Sequence, residues 1–340
     1  MLTSADPSGA LRQLRRDSMT TLKTLTIVAP VFNEEEVITQ FYERTRGVLD
    51  SIADRYSFRI LFVVDRSRDR TLEILRDIAA KDPRAQVIAL SSRFGHQMSL
   101  LAGIDRADDA DLVIMMDSDL QHPPELIPQL LDVAEQGNDV VHTIRRDTRD
   151  VGHLRKFAGS LFYRLLTYLS RVPITKNAAD FRLISGRVAR LLRHEIRERN
   201  MFLRGLFSWI GFNQANVEYV AAARAAGRSK YSLSRMIGLA TTAILSFSTK
   251  PLQLSIFLGL GFAALSLLLG VATLVAYLRE DTIPDGWTTI VMLLLLFSGV
   301  QLIVMGILGA YIGGIYEEVK NRPHYIVDET INLDHKLSNE

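Results

Sequence analysis

The sequence predicts an α/β domain with a mostly parallel sheet, followed by two membrane-crossing helices. From Thr24 to Thr143, short β-branched runs alternate with helical patterns, the signature of βα units laid into a parallel sheet. Leu252–Leu278 and Thr288–Tyr316 hold no charged residue, and each exceeds the roughly 20 apolar residues that cross a bilayer. Charge is nearly balanced, 40 basic against 38 acidic residues, and cysteine is absent. The balance gives nucleic-acid binding no support. The missing thiols exclude disulfides and thiolate metal sites and fit a reducing compartment.

Met1–Thr20 has basic residues without the apolar stretch of a signal peptide, so residues 1–22 are expected to form a disordered tail. Thr24–Phe32 reads as a first strand, and Asn33-Glu34-Glu35-Glu36 offers a cap and an acidic first turn for a helix reaching about Ala53. Arg59–Val64 is a second strand, with a helix to about Ala80 after the Asp65–Thr71 turn. Gln86–Ser91 and Asp111–Met116 are the third and fourth strands, separated by a helix from Gly95 to about Ala107. Pro124–Gln136 reads as helix and Asp139–Thr143 as strand.

The pattern changes near residue 150. His153–Arg171 sets Leu154, Phe157, Leu161, Leu165 and Leu169 at helical spacing beside Arg155, Lys156 and Arg164. That suits a helix lying in a membrane surface or an amphipathic helix on the core; the nearby spans favour the surface. Tyr231–Phe247 is a second such segment, leading into the first span. The expected plan is an aqueous domain over 23–230, an interfacial helix over 231–250, two spans within 251–317 and a C-terminal tail over 318–340. The connection Arg279–Trp287 has three acids and one base, whereas Arg224, Arg228, Lys230, Arg235, Lys250, Lys320 and Arg322 lie on the outer flanks. The positive-inside rule then places the aqueous domain and both termini in the cytoplasm of a cell with this inner membrane.

The apolar run Leu112–Met116 is followed at once by Asp117-Ser118-Asp119-Leu120-Gln121-His122-Pro123-Pro124-Glu125. Carboxylates at the carboxyl end of a parallel strand lie at the sheet rim, where open α/β folds hold ligands. A pair there is either a solvated acidic turn or a seat for Mg²⁺ or Mn²⁺, which take hard oxygen ligands and leave positions free for phosphate.

Several stretches share one resemblance. Val28–Glu35 resembles the opening strand of family 2 glycosyltransferases of the GT-A fold, and Asp117–Glu125 resembles their metal-binding Asp-x-Asp with its downstream turn. Asn177–Leu183, Arg199–Leu206 and Ala226–Tyr231 resemble motifs of the polyisoprenyl-phosphate glycosyltransferases, which include bactoprenol glucosyltransferases and dolichol-phosphate mannose synthases. The spans ending in Gly313–Lys320 are similar to the bactoprenol branch. The resemblance implies a Rossmann-like GT-A domain that transfers a hexose, with inversion, from UDP-glucose to undecaprenyl (bactoprenol) phosphate for cell-envelope glycosylation. GDP-mannose, a UDP-N-acetylhexosamine or a UDP-aminoarabinose derivative are the alternative donors, and a non-catalytic membrane scaffold is the alternative from another class. Besides nucleotide-sugar, polyprenyl phosphate and membrane lipid, the partners expected are further copies of the chain and a downstream flippase.

The resemblance also implies a site. Asp119 and Gln121 are the expected ligands of a divalent cation, with Asp117 on the metal or the nucleotide. Pro30, Phe32, Asn33, Glu34, Asp65 and Ser118 are expected along the nucleotide-sugar. Polyprenyl phosphate is an anion at the membrane surface and needs basic residues beside the interfacial helices. Arg145, Arg155, Lys156, Ser160, Arg204, Arg224, Lys230 and Tyr231 are the set proposed for it, although each cation singly also reads as a solvated surface charge. Asp180 matches the family's proposed base. A phosphate monoester has a second pKa near 6 and attacks unaided, so Asp180 is expected to accept a residual proton or to position the acceptor and its basic partners. Relatives read Asp-Asp-Gly-Ser after the second strand, whereas this chain has Val64-Asp65-Arg66-Ser67. A positive φ at Arg66 would cost about 1 kcal/mol; alternatively, Arg66 approaches the diphosphate.

Overall fold

The structure is a computed structural model that describes residues 22–146, 178–199, 201–220, 248–280 and 286–333. The expected interfacial helix 153–171 and nearly all of 231–250 lie outside the described residues. Strands β1 (Lys23–Val31), β2 (Tyr56–Val64), β3 (Ala85–Leu90) and β4 (Leu112–Met115) alternate with helices α1 (Ile38–Asp50), α2 (Thr71–Lys81) and α3 (His96–Arg106). All four strands pair in parallel, with β1 between β2 and β4. Parallel strands covered on both faces are mostly apolar. Leu25, Ile27 and Ala29 face one core with Phe41 and Phe62, while Val28 faces a second with Leu61, Leu100 and Leu101. At Gly103 a Cβ would stand 2.2 Å from Val28 Cγ1. Only glycine lets α3 lie that close on β1, which fixes where the first turn of α3 meets the sheet rim.

The first helix starts later than expected. Asn33 takes φ 54°, and Glu34 accepts from Val37 and Ile38 N–H, so Asn33–Glu36 makes a turn rather than a cap. Beyond a 3₁₀ turn at Pro124–Leu126 come α4 (Ile127–Glu135), β5 (Val140–Arg146), β6 (Ala178–Ser185), α5 (Gly186–His194), α6 (Leu203–Trp209) and β7 (Gln214–Val220). β6 runs antiparallel to both β4 and β5, and β5 is parallel to β7. Met115 pairs with Arg182, so two residues further along each antiparallel strand set Asp117 across from Asp180.

Helices α7 (Lys250–Glu280) and α8 (Trp287–Val319) follow. Their Lys250–Ala272 and Met292–Val319 stretches lie almost wholly outside the core and are long and apolar enough to cross a membrane. Phe262 meets Phe297 edge-on at 5.5 Å, and the Tyr311 hydroxyl donates to the Ser248 carbonyl at 2.6 Å. The stretch expected only as a tail then contributes β8 (Val327–Ile331), antiparallel to β3. It is pinned by the Arg76–Glu329 ion pair and by Asn332 Nδ2, which donates to the Ala79 and Ala85 carbonyls at 2.7 and 3.0 Å. The sheet order is β7-β5-β6-β4-β1-β2-β3-β8.

Candidate active site

The carboxyl ends of β1, β2 and β4 and the beginning of β6 meet at one rim. The first two turns there are stitched together. Asn33 N–H donates to Ser67 Oγ at 3.0 Å, Asn33 Oδ1 accepts from Arg68 N–H at 2.9 Å, and Glu34 N–H donates to Thr71 Oγ1 at 2.9 Å. Phe32 carries the Arg93 guanidinium 4.1 Å from its ring centroid. Arg66 does take positive φ, 50°, and donates through Nη1 to the Ser91 carbonyl.

Two residues expected along the nucleotide-sugar face inward instead. Asp65 is 4% exposed and accepts from Phe94 and Gly95 N–H at 2.7 and 2.9 Å. Ser118, 3% exposed, donates to the Pro30 carbonyl at 3.1 Å. Both tie strand ends together, because a polar side chain buried at a rim must find a backbone partner.

Asp117 and Asp119 follow β4, with Leu120 turning at φ 60°. Asp117 Oδ1 lies 2.7 Å from His96 Nε2, and its N–H donates to His122 Nδ1 at 3.1 Å. His122 stacks on Phe181 at 5.3 Å. Burial opposes charge on Asp117, but His122 and His96 hold its carboxyl below the usual range. Burial likewise opposes charge on His96, and Asp117 outweighs it, raising the ring above its ordinary value. Asp119 accepts from the Gln121 amide through N–H and Nε2, while Gln121 Oε1 accepts from Arg145 Nη1 at 3.3 Å. Two carboxylates and a side-chain amide are hard oxygen donors, and Mg²⁺ or Mn²⁺ is commonly held by one or two carboxylates plus substrate phosphates; among the described residues no group of three or more His, Asp or Glu closes around one point. Gln121 presents its amide nitrogen to Asp119, so its oxygen would reach a cation there only after the amide turns.

Asp180 is paired differently. Arg204 Nε and Nη2 donate to its two oxygens, both at 2.7 Å, the bidentate geometry that makes such pairs strong. Burial alone would push the Asp180 carboxyl up, yet Arg204 holds it far below the usual range. Arg182 lies beneath, 1% exposed, 4.5 Å from the Phe207 ring centroid, with Nη2 donating to the Ala179 carbonyl at 3.1 Å. Its Nε and Nη1 have no partner among the described residues, and burial lowers its pKa to about 10.

The rim therefore brings together Pro30, Phe32, Asn33, Glu34, Asp117, Asp119, Gln121, Arg145, Asp180 and Arg204. Arg155, Lys156, Ser160, Arg224, Lys230 and Tyr231 lie outside the described residues. Sequence reasoning missed His96, His122 and Arg182. His96 had one available signal, its place in the turn after the third strand, on the same rim as the other strand ends.

The model of the family described as Glycosyl transferase family 2 matches residues 26–193. A bactoprenol glucosyl transferase of Shigella phage SfII is 39% identical over 306 residues, 90% of this chain and 98% of that one. The uncharacterized glycosyltransferase YkcC of Bacillus subtilis (strain 168) is 39% identical over 311 residues, 92% of this chain and 95% of its own. Among solved structures, glucosyl-3-phosphoglycerate synthase from Mycobacterium tuberculosis, in complex with Mn²⁺, UDP and glucosyl-3-phosphoglycerate, matches with TM-score 0.39 and 20% identity over 72% of this chain and 84% of that one.

Proposed function

Since this chain belongs to glycosyl transferase family 2 and is a glycosyltransferase, we propose that it transfers a hexose, glucose from UDP-glucose, to polyprenyl phosphate at the cytoplasmic face of a membrane. The observation that carries the proposal is the opposition, across one rim, of the Asp117–Asp119 pair and the Asp180–Arg204 pair. Relatives named bactoprenol glucosyl transferase, alike over nine-tenths of the chain, support the lipid acceptor and the sugar.

The leaving nucleoside diphosphate belongs on the Asp117–Asp119 side. A divalent cation bound there by Asp119 and Asp117, with Gln121 beside them, would neutralise charge building on the leaving oxygen. The acceptor phosphate belongs on the Asp180–Arg204 side. With its carboxyl held low by Arg204, Asp180 is a poor base near neutral pH, and a phosphate monoester needs little help to ionise. The role this supports for Asp180 is to hold the Arg204 guanidinium where an anion meets it. A single displacement then inverts the anomeric centre. Arg155, Lys156, Ser160, Arg224, Lys230 and Tyr231 complete the acceptor side in this reading.

The membrane reading gains support from topology. β8 follows the second apolar helix, yet it pairs with β3 of the sheet that precedes the first. That pairing supports a reading in which both lie on one side of a membrane and α7 and α8 cross it as a hairpin. The basic flanks support a cytoplasmic side. Incubating the purified chain with radiolabelled UDP-glucose, undecaprenyl phosphate and Mn²⁺ should yield a metal-dependent glycolipid. Absence of any glycolipid across a panel of nucleotide-sugars would overturn the proposal.

A further inference from the structure

His96 has no role in the reading so far, yet it stands between the two carboxylate centres. Its Nε2 is 2.7 Å from Asp117 Oδ1, whereas its Nδ1 is 4.0 Å from Asp180 Oδ2, beyond hydrogen-bonding reach. Nδ1 thus has no hydrogen-bond partner among the described residues, and 40% of the side chain is exposed.

The ring is also held from several directions. Asp65 takes the N–H groups of the two preceding residues, Phe94 and Gly95. Gly95 turns at φ 92°, a conformation that side chains resist. The next residue, Gln97, accepts through Oε1 from Leu203 N–H at 3.2 Å, one residue before Arg204. The same few bonds therefore set His96 against Asp117 and against the Asp180–Arg204 pair.

In a single displacement the sugar lies between the leaving diphosphate and the attacking phosphate, with reacting atoms roughly 3–3.5 Å apart. If the diphosphate leaves on the Asp117–Asp119 side and the acceptor enters on the Asp180 side, the sugar occupies the gap that the imidazole spans. An imidazole suits this position. With Nε2–H donated to Asp117, Nδ1 is an acceptor on the neutral ring and a donor on the imidazolium, and a hydroxyl can meet either.

We propose that His96 is a donor-sugar contact, its Nδ1 hydrogen-bonding one hydroxyl of the transferred hexose and so setting which hexose is accepted. This rests on the transfer reaction proposed above. A site that hydrogen-bonds a hydroxyl rejects a sugar lacking it, because its own polar group is then left unpaired.

The test measures binding first, on the full chain in detergent with Mn²⁺. Calorimetry would compare wild type, His96→Ala and His96→Gln with UDP, UDP-glucose and UDP-glucose analogues deoxygenated at single positions. Where GDP-mannose binds better than UDP-glucose, the same series is run on that donor. The ratio of UDP-glucose to UDP affinity, which cancels any effect passed through Asp117, should fall about tenfold in His96→Ala. One deoxy analogue should bind wild type and His96→Ala alike, and His96→Gln should recover part of the loss. Equal losses for UDP and every sugar would overturn the proposal by showing that the ring only supports its loop; unchanged UDP-glucose affinity would also overturn it. Transfer to undecaprenyl phosphate, run in parallel, tests the underlying reading separately. Wild type that binds the donor without transferring it would sink that reading, and the binding series would still decide His96.

Discussion

The two carboxylate centres of the rim are built in opposite ways. Asp117 and Asp119 meet imidazole rings and a side-chain amide, and 32% of the Asp117 side chain stays exposed. Asp180 is 14% exposed and locked to Arg204 by two charge-assisted bonds, with Arg182 buried beneath. In the proposed reaction the first centre would offer carboxylate oxygens to a cation that arrives with its substrate. The second already contains its cations, and in the proposed reaction Arg204 would meet an anion there. Acidic residues thus give two centres of opposite character, depending on what surrounds them.

Removing each carboxylate is the strongest way to break this contrast. Asp119→Ala should lower turnover about a hundredfold to a thousandfold, the usual cost of losing one electrostatic stabiliser, with little change in melting temperature. Asp180→Ala should lower turnover comparably and also destabilise the fold by about 3 kcal/mol, because the buried Arg182 loses the carboxylate charge beside it. Transfer assays and thermal unfolding on the same preparations measure both. Equal melting temperatures for the two variants would erase the difference.

Arg204→Lys probes the second centre more gently. Lysine keeps the charge and loses the planar fork, so activity should fall about tenfold. The loss should sit in the KM for polyprenyl phosphate, with the KM for nucleotide-sugar unchanged. A loss confined to the donor KM would move Arg204 to the other centre.

Acid sharpens the comparison further. His142 is 3% exposed and pairs across the strands with Arg182. Burial first, and the Arg182 charge second, lower its pKa from 6.5 to about 4. Between those values the unfolded chain binds a proton that the fold refuses, so stability should drop as pH falls through that window, by roughly 3 kcal/mol. The Asp180 carboxyl, held low, keeps its own contribution until more acidic pH. Unfolding measured from pH 8 to 4 should show this slope, and His142→Gln should flatten it.

What the sequence disclosed follows from how each element is buried. β1 to β4 are covered on both faces and appear as largely apolar, β-branched runs, so they were legible, as was the acidic pair directly after Met116. β6 was not, because its buried positions include Arg182 and its strand begins beside Asp180. β7 and β8 lie at the sheet edges and mix polar with apolar residues. The same limit governed the site. Asp65 and Ser118 have the composition of rim ligands, but the N–H groups of Phe94 and Gly95 and the Pro30 carbonyl turn them inward. His96 meets Asp117 only because β1 and β4 are neighbours and Gly103 seats α3 on β1.

Arg66 tests how far the first centre reaches. It sits in left-handed backbone at φ 50°, where a side chain costs about 1 kcal/mol more than glycine. Against that, its Nη1 donates to the Ser91 carbonyl and ties the β2 turn to the end of β3, and glycine would add about 0.4–1 kcal/mol of unfolded-state entropy. These terms nearly offset, so Arg66→Gly should change stability by less than about 1 kcal/mol and leave transfer unchanged. The neighbouring Asp65, which anchors the backbone before His96, would still hold Phe94 and Gly95. If transfer instead fell tenfold with UDP affinity weakened in step, the guanidinium would be acting on the diphosphate. The first centre would then carry a cation of its own, and the contrast with Asp180 would narrow to one of degree.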